Sequence, residues 1–110
     1  DKETNQMIGS IKFEKLDEIK GEAELGYFLR KDFWGKGLMT EAVKELVYLS
    51  FEKFQLKELK IVTHVENAGS QKVALKAGFR LFRQFKGSDR YTRKMRDYYD
   101  FRLGRGDFYE

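Results

Sequence analysis

The chain of 110 residues contains no cysteine, no proline and only one histidine. The missing cysteines exclude disulfides and thiolate metal sites, and a single histidine excludes a metal site built on several histidines. No run approaches the length of about 18 apolar residues that a transmembrane helix needs. The first ten residues, DKETNQMIGS, lack the basic-then-apolar pattern of a signal peptide. We therefore expect a cytoplasmic protein without a membrane partner.

What the chain does contain suits one globular domain, residues 1–110, with 41% hydrophobic residues including ten Phe and six Tyr. The net charge of +4 is concentrated near the end, because residues 80–106 carry nine Lys and Arg against three Asp. This basic, tyrosine-rich end, RYTRKMRDYYDFRLGR, could bind RNA or an acidic protein. Its alternating Tyr99, Phe101 and Leu103 equally predict a strand with one face in a core.

The hydrophobic pattern predicts the order strand, strand, helix, strand, helix, strand, strand. The predicted strands cover residues 8–16, 24–29, 57–64, 79–85 and 98–103, and the helices cover residues 40–54 and 66–79. The first two strands form a hairpin, with Ile11 and Phe13 on one face of the first and Leu25, Tyr27 and Leu29 on one face of the second. The first helix packs through Val43, Leu46, Val47, Ser50 and Phe54. Asn67 is expected to cap the second helix, and Gly78 to end it in the left-handed conformation.

Two glycines in the stretch DFWGKGLMTEAVKEL stand where a strand turns into the first helix. A glycine turn before a helix start lets a phosphate approach unpaired backbone amides. The spacing does not fit a P-loop, because Leu38 rather than lysine follows Gly37. It fits a dinucleotide fingerprint poorly, because Thr40 occupies the third glycine position. The remaining candidate is the acyl-CoA pyrophosphate loop, [QR]-x-x-G-x-[GA].

The segments ELGYFLRKDFWGKGLMTEAVKELVYLSF and HVENAGSQKVALKAGF together resemble the GNAT (Gcn5-related) N-acetyltransferases, most closely the ribosomal-protein N-terminal acetyltransferase branch. The resemblance implies an α/β (α+β) fold: a mixed, mostly antiparallel sheet with a splayed central strand pair and flanking helices. It implies a coenzyme-binding core over residues 24–79 and a closing strand pair with the basic tail over residues 80–110. The chain departs from the family pattern at Trp34, at Val65 and at Met39, whose side chain is expected to crowd the helix start.

The resemblance also implies a front segment of about 50 residues that this sequence does not show. We therefore expect a partial domain, with acceptor binding and full activity in question. A binding but inactive fragment is one alternative to an enzyme, and a basic binding module is another. An exposed sheet face favours a homodimer.

Acetyl-CoA is the cosubstrate that the resemblance implies. Backbone amides around the glycine turn are expected to hold its pyrophosphate, and these belong to Trp34, Gly35, Lys36, Gly37, Leu38, Met39 and Thr40. The side chains of Phe33 and Trp34 are expected to pack under the turn, and Lys36 to be a solvated charge near the phosphates. The strand backbone at Tyr27, Phe28 and Leu29 is expected to bind the pantetheine arm like an added strand.

The side chain of Asn67 is expected to cap its helix and to touch the pantetheine. Ser70 is placed near the CoA sulfur, where its hydroxyl could protonate the leaving thiolate. The acceptor is an amine, a protein N-terminus or a small molecule, and must lose a proton before it attacks. Glu24, acting through water at the head of the splayed strand, is the predicted base. His64, at the end of the third strand, is the other candidate. Each of these side chains could instead have only a structural role.

Overall fold

Residues 9–109, which this computed structural model describes, fold in the predicted order of elements. The elements are β1 (Gly9–Asp17), β2 (Glu22–Leu29), α1 (Leu38–Glu52), β3 (Glu58–His64), α2 (Ala68–Lys76), β4 (Arg80–Ser88), β5 (Met95–Gly104) and α3 (Arg105–Phe108). Two short elements escaped prediction, α3 and a 3-10 turn at Lys31–Phe33. The predicted start of the first strand, Ile8, lies outside the described residues.

The five strands form one mixed sheet in the order β1-β2-β3-β5-β4. Only β2 and β3 run parallel; the other three neighbouring pairs are antiparallel. Parallel pairing extends from Glu22↔Glu58 to Leu25↔Ile61 and then stops, although β2 continues to Leu29 and β3 to His64. The two central strands therefore splay apart, and the predicted fold class is confirmed.

One face of the sheet packs against α1 and α2 to form the hydrophobic core. Tyr99, Phe101 and Leu103 contribute to it from β5, as predicted. The prediction for α1 is wrong at one position: Phe51 is fully buried, whereas Phe54 is exposed. Because α1 ends at Glu52, Phe54 no longer follows the helical period.

The other face of the sheet, the polar face, carries most of the charged strand side chains together with the stacked rings of Phe85, Tyr98 and His64, and no helix of residues 9–109 covers it. At its centre lies Asp100, which has no solvent exposure and binds two guanidinium groups. Arg102 donates to it through Nε (2.9 Å) and Nη2 (3.0 Å), and Arg83 donates through Nε (3.1 Å). The third nitrogen of the Arg102 guanidinium, Nη1, donates to Glu58 Oε1 at 2.9 Å. The net effect of burial, which raises the pKa of Asp100, and of the arginine hydrogen bonds, which lower it, is a lowered pKa.

The basic segment that the sequence singled out belongs largely to this sheet. Five of its nine cationic side chains form ion pairs with carboxylates. These pairs are Arg83–Asp100, Lys86–Asp97, Arg90–Glu14, Arg96–Glu66 and Arg102–Asp100. Much of the local positive charge is therefore offset within the chain. No helix between residues 9 and 109 combines the length and the apolarity that crossing a membrane requires.

Candidate active site

In the glycine turn between β2 and α1, both glycines adopt a backbone conformation that favours glycine. Gly35 has φ +77° and Gly37 has φ +74°, both in the left-handed region that other residues rarely adopt. A Cβ built at either position would meet nothing within 4 Å. The glycines thus serve the path of the backbone and leave its outer surface open to a ligand.

The start of α1 presents amide groups without partners. Gly37 is the N-cap and offers no side chain to bind them. The first bond of the helix joins the Glu41 N–H to the Gly37 carbonyl at 3.0 Å. Among residues 9–109, the N–H groups of Leu38, Met39 and Thr40 donate to no acceptor. Together with the helix dipole, these amides form a site that favours an anion.

Trp34 differs from its prediction in two ways. Its backbone N–H donates to the Lys31 carbonyl at 3.2 Å, which closes the 3-10 turn, so this amide is not free for a phosphate. Its side chain is 61% exposed rather than packed under the turn. The indole Nε1–H instead donates to the Leu29 carbonyl at 2.8 Å, which also occupies one of the backbone groups expected to bind pantetheine.

The expected crowding by Met39 is also wrong. Its side chain is buried in the core beneath α1, so only its backbone faces the turn. Lys36 is exposed, and its Nζ lies 5.4 Å from the centre of the half-buried Phe33 ring. Thr40 is half-buried. The surface of the turn therefore presents the backbone at the glycines, the exposed cation of Lys36 and the exposed side chains of Trp34 and Leu38.

The start of α2 forms the second wall of the site, and its predicted cap is confirmed. The Asn67 side chain accepts a hydrogen bond from the Ser70 N–H through Oδ1 at 3.0 Å. The Asn67 N–H donates to the His64 carbonyl at 3.0 Å, which sets the turn from β3 into the helix. Gly78, with φ +99°, follows the end of α2 as predicted.

Replacing the cap tests how much it contributes. We expect Asn67→Ala to lower the free energy of unfolding by about 1 kcal/mol, because the Ser70 N–H loses its acceptor. Urea unfolding measures the change. Asn67→Asp retains an acceptor oxygen and is the control; equal losses in the two variants would contradict this account of the cap.

Tyr27 and Ser70 form a pair that the sequence did not reveal. The Tyr27 hydroxyl donates to the Ser70 carbonyl at 2.9 Å and accepts from Ser70 Oγ at 2.9 Å. Burial raises the pKa of Tyr27, an effect that the hydrogen bond from Ser70 partly offsets. The alternation of β2 predicted that Tyr27 faces the helices, but its partner lies 43 residues away. This contact joins the splayed part of β2 to α2.

Glu24 and His64 lie on the opposite, polar face of the sheet. Glu24 is paired with Lys15 and Lys60 immediately before the parallel pairing ends. His64 ends β3, and its Nε2 lies 3.3 Å from Asp89 Oδ2. Backbone N–H groups of Thr92 and Tyr91 lower the pKa of Asp89. The structure thus separates Ser70, on the helix side, from both candidate bases.

These features define a mixed α/β domain with an anion cradle beside the open end of a splayed strand pair. A family model described as "Acetyltransferase (GNAT) domain" matches residues 1–80. The chain belongs to this family. The expectation drawn from the sequence motifs is confirmed at this level.

Individual relatives agree with this assignment. An uncharacterized N-acetyltransferase p20 of Bacillus licheniformis is 31% identical over 93% of this chain and 57% of its own length. The ribosomal-protein-serine acetyltransferase of Escherichia coli is 31% identical over 68% of this chain and 42% of its own length. A structure of the microcin C7 self-immunity acetyltransferase MccE, in complex with acetyl-CoA and AMP, superposes with a TM-score of 0.80 at 25% identity, over 90% of this chain and 55% of that one. The chain thus spans 42–57% of the length of these proteins.

Proposed function

We propose that this chain binds acetyl-CoA and contributes to the transfer of its acetyl group to a primary amine. The observation that carries the proposal is the row of unpartnered amides at the start of α1, next to the opening between β2 and β3. An anionic pyrophosphate fits the cradle formed by Gly35, Lys36, Gly37 and the first α1 amides. The backbone of Tyr27 and Phe28 and the side chain of Asn67 are assigned to the pantetheine.

Tyr27 on β2 and Ser70 at the start of α2 each have a role in the proposed reaction. Acetyl-CoA supplies an activated thioester; the amine nitrogen bonds to its carbonyl carbon, and the carbon–sulfur bond breaks. In the resting site Ser70 Oγ donates to the Tyr27 hydroxyl, which holds the serine in place. During transfer Ser70 Oγ gives that proton to the departing sulfur and takes one back from solvent. Glu24 accepts the proton lost by the amine through water on the polar face. No covalent intermediate with the protein is required, because holding the two reactants together lowers the barrier.

Titration calorimetry with two ligands tests the binding step. We expect acetyl-CoA to bind with a Kd on the order of micromolar. S-acetylpantetheine carries the same thioester without the diphosphate, so we expect it to bind at least about tenfold more weakly, because one charge-assisted contact is worth about 1.5–3 kcal/mol. Equal affinities for the two ligands, or no binding of acetyl-CoA by the folded chain, would refute the proposal that the cradle binds the pyrophosphate.

Thiol release with Ellman's reagent then tests transfer, and the absence of cysteine leaves no background from the protein. The acceptors are amino-acid amides, with water as the blank. Release above the blank supports an acetyltransferase. Binding without release supports the alternative of a chain that binds CoA and does not catalyse.

The homodimer stays a prediction, and the edge strand β4 is the surface to examine. Leu81 and Phe82 on this strand are both more than half exposed. An unpaired edge with exposed apolar side chains favours association with another copy. The cytoplasmic location likewise stays a prediction.

A further inference from the structure

A β-bulge in β1 directs one carboxylate onto the polar face of the sheet. The register of β1 against β2 shifts between Phe13 and Lys15, which pair with Leu25 and Glu24. Glu14 is the extra residue and has no partner on β2. Bulges re-aim side chains, and they are frequent beside active sites.

The Glu14 side chain lies directly over Gly26. A Cβ built on Gly26 would be 2.3 Å from Glu14 Oε1 and 2.7 Å from its Cδ, so the carboxylate occupies the space that a side chain at position 26 would take. Gly26 is the first residue of β2 beyond the last parallel pair, Leu25↔Ile61. The carboxylate therefore lies where the gap between β2 and β3 begins.

The ionic contacts of Glu14 are long. Arg90 Nη2 lies 3.7 Å from Oε2, and Lys12 Nζ lies 4.0 Å from Oε1. Within the described part of the chain, no hydrogen bond reaches either oxygen. The Glu14 side chain is only 23% exposed, whereas that of Arg90 is 66% exposed. A partly enclosed carboxylate with weakly held cations can exchange them for another cation.

Arg90 belongs to the turn that crosses the opening of the strand gap. In the same turn, Asp89 Oδ2 contacts His64 at the end of β3. Two neighbouring residues of this turn thus reach to opposite sides of the gap: Arg90 contacts Glu14 of β1, and Asp89 contacts His64 of β3. Of these two contacts, the one from Arg90 to Glu14 is the longer, at 3.7 Å against 3.3 Å, and it is the one that an incoming cation would replace.

The direction of approach follows from the packing. Buried side chains of both helices, among them Val43 and Ala74, pack against the helix side of the sheet, and the site proposed for acetyl-CoA lies on that same side, between the starts of α1 and α2. An amine that reaches the gap must come from the polar face, and near pH 7 it arrives as an ammonium ion. We propose that Glu14 is a specificity-determining residue, which binds the acceptor's ammonium group in place of Arg90. This inference rests on the proposed function, although its test does not require activity.

The test is NMR titration of the labelled chain with n-butylammonium at pH 7. We expect a saturable shift of the Gly26 amide signal. In Glu14→Gln the affinity should fall about tenfold or more, because a charge-assisted contact is lost. In Arg90→Gln the affinity should rise about two- to fivefold, because an exposed competing ion pair is removed. The neutral analogue n-butanol should leave the signal unmoved.

Glu22→Gln is the matched control, since Glu22 lies on the same face of β2, four residues from Gly26, within the paired segment. It should bind n-butylammonium as the parent chain does. No saturable shift of Gly26, or equal shifts in the parent and Glu14→Gln, would overturn the inference. Calorimetry with acetyl-CoA on the same samples separates this outcome from failure of the proposed function.

Discussion

Gly37→Glu should abolish the binding of acetyl-CoA, with an affinity at least about 100-fold lower than that of the parent chain. The new carboxylate would stand at the N-cap of α1, where the cradle offers its free amides. Two like charges about 4 Å apart repel by about 4 kcal/mol at an effective dielectric constant of 20. Titration calorimetry at low ionic strength measures the loss.

Gly78→Glu provides a control with the same chemistry at another place. Gly78 also has a positive φ, +99°, and a Cβ there would also meet nothing within 4 Å. Both variants therefore gain one negative charge and comparable backbone strain. Gly78, however, follows the far end of α2, so its variant should bind acetyl-CoA normally. A similar loss in both variants would indicate destabilisation rather than a cradle at Gly37.

Asp100→Asn should be the most destabilising substitution on the polar face. The neutral amide removes the carboxylate that Arg83 binds and one of the two that Arg102 binds, around a site with no solvent exposure. We expect the free energy of unfolding to fall by about 3 kcal/mol, the lower end of the range for breaking a buried ion pair, because both arginines reach solvent. This corresponds to a melting temperature roughly 12 °C lower.

Asp97→Asn is the matched control on the same strand, since Asp97 pairs with the exposed Lys86 at 3.4 Å. Its loss should stay below about 1 kcal/mol. Equal effects of the two substitutions in thermal unfolding would contradict the assignment of Asp100 as a buried ionic centre.

The lowered pKa of Asp100 gives its contribution a defined pH dependence. In the unfolded chain the pKa of the Asp100 carboxyl is about 3.9, and in the folded chain this pKa is lower. Between these values the unfolded state binds more protons, so stability decreases as the pH falls. The contribution is complete well above pH 4 and is lost on acidification below it. Urea unfolding from pH 6 to pH 3 should therefore show a shallower loss in Asp100→Asn than in the parent chain.

Local signals were sufficient to predict the five strands, the helices α1 and α2, and several of their ends. The alternation in β5, the cap at Asn67 and the left-handed Gly78 depend only on neighbouring residues, and all three were predicted. The error at Phe54 has a local cause as well, because the helical period was extended beyond the end of α1 at Glu52.

The groups that the sequence did not reveal depend on strand register. Asp100 meets Arg83 only because of how β4 pairs with β5, and a bulge shifts that register between Leu81 and Arg83. Glu14 reaches Gly26 through the other bulge. The position of a bulge is decided by the pairing of two strands and has no counterpart in the spacing of residues along one. Sequence reasoning therefore proposed Glu24, which alternates regularly, and passed over Glu14.

The short stretch of parallel pairing between β2 and β3, called the seam below, also affects how the sheet folds. The hairpin of β1 and β2 and the hairpin of β4 and β5 are each joined by a short turn, so their closure costs little chain entropy. The four residue pairs of the seam, by contrast, close a loop that includes all of α1. Contacts between residues distant in sequence form late and slowly. The two strands that splay apart are thus also the pair whose contact forms last during folding. A ligand bound between β2 and β3 would stabilise this last-formed contact of the domain.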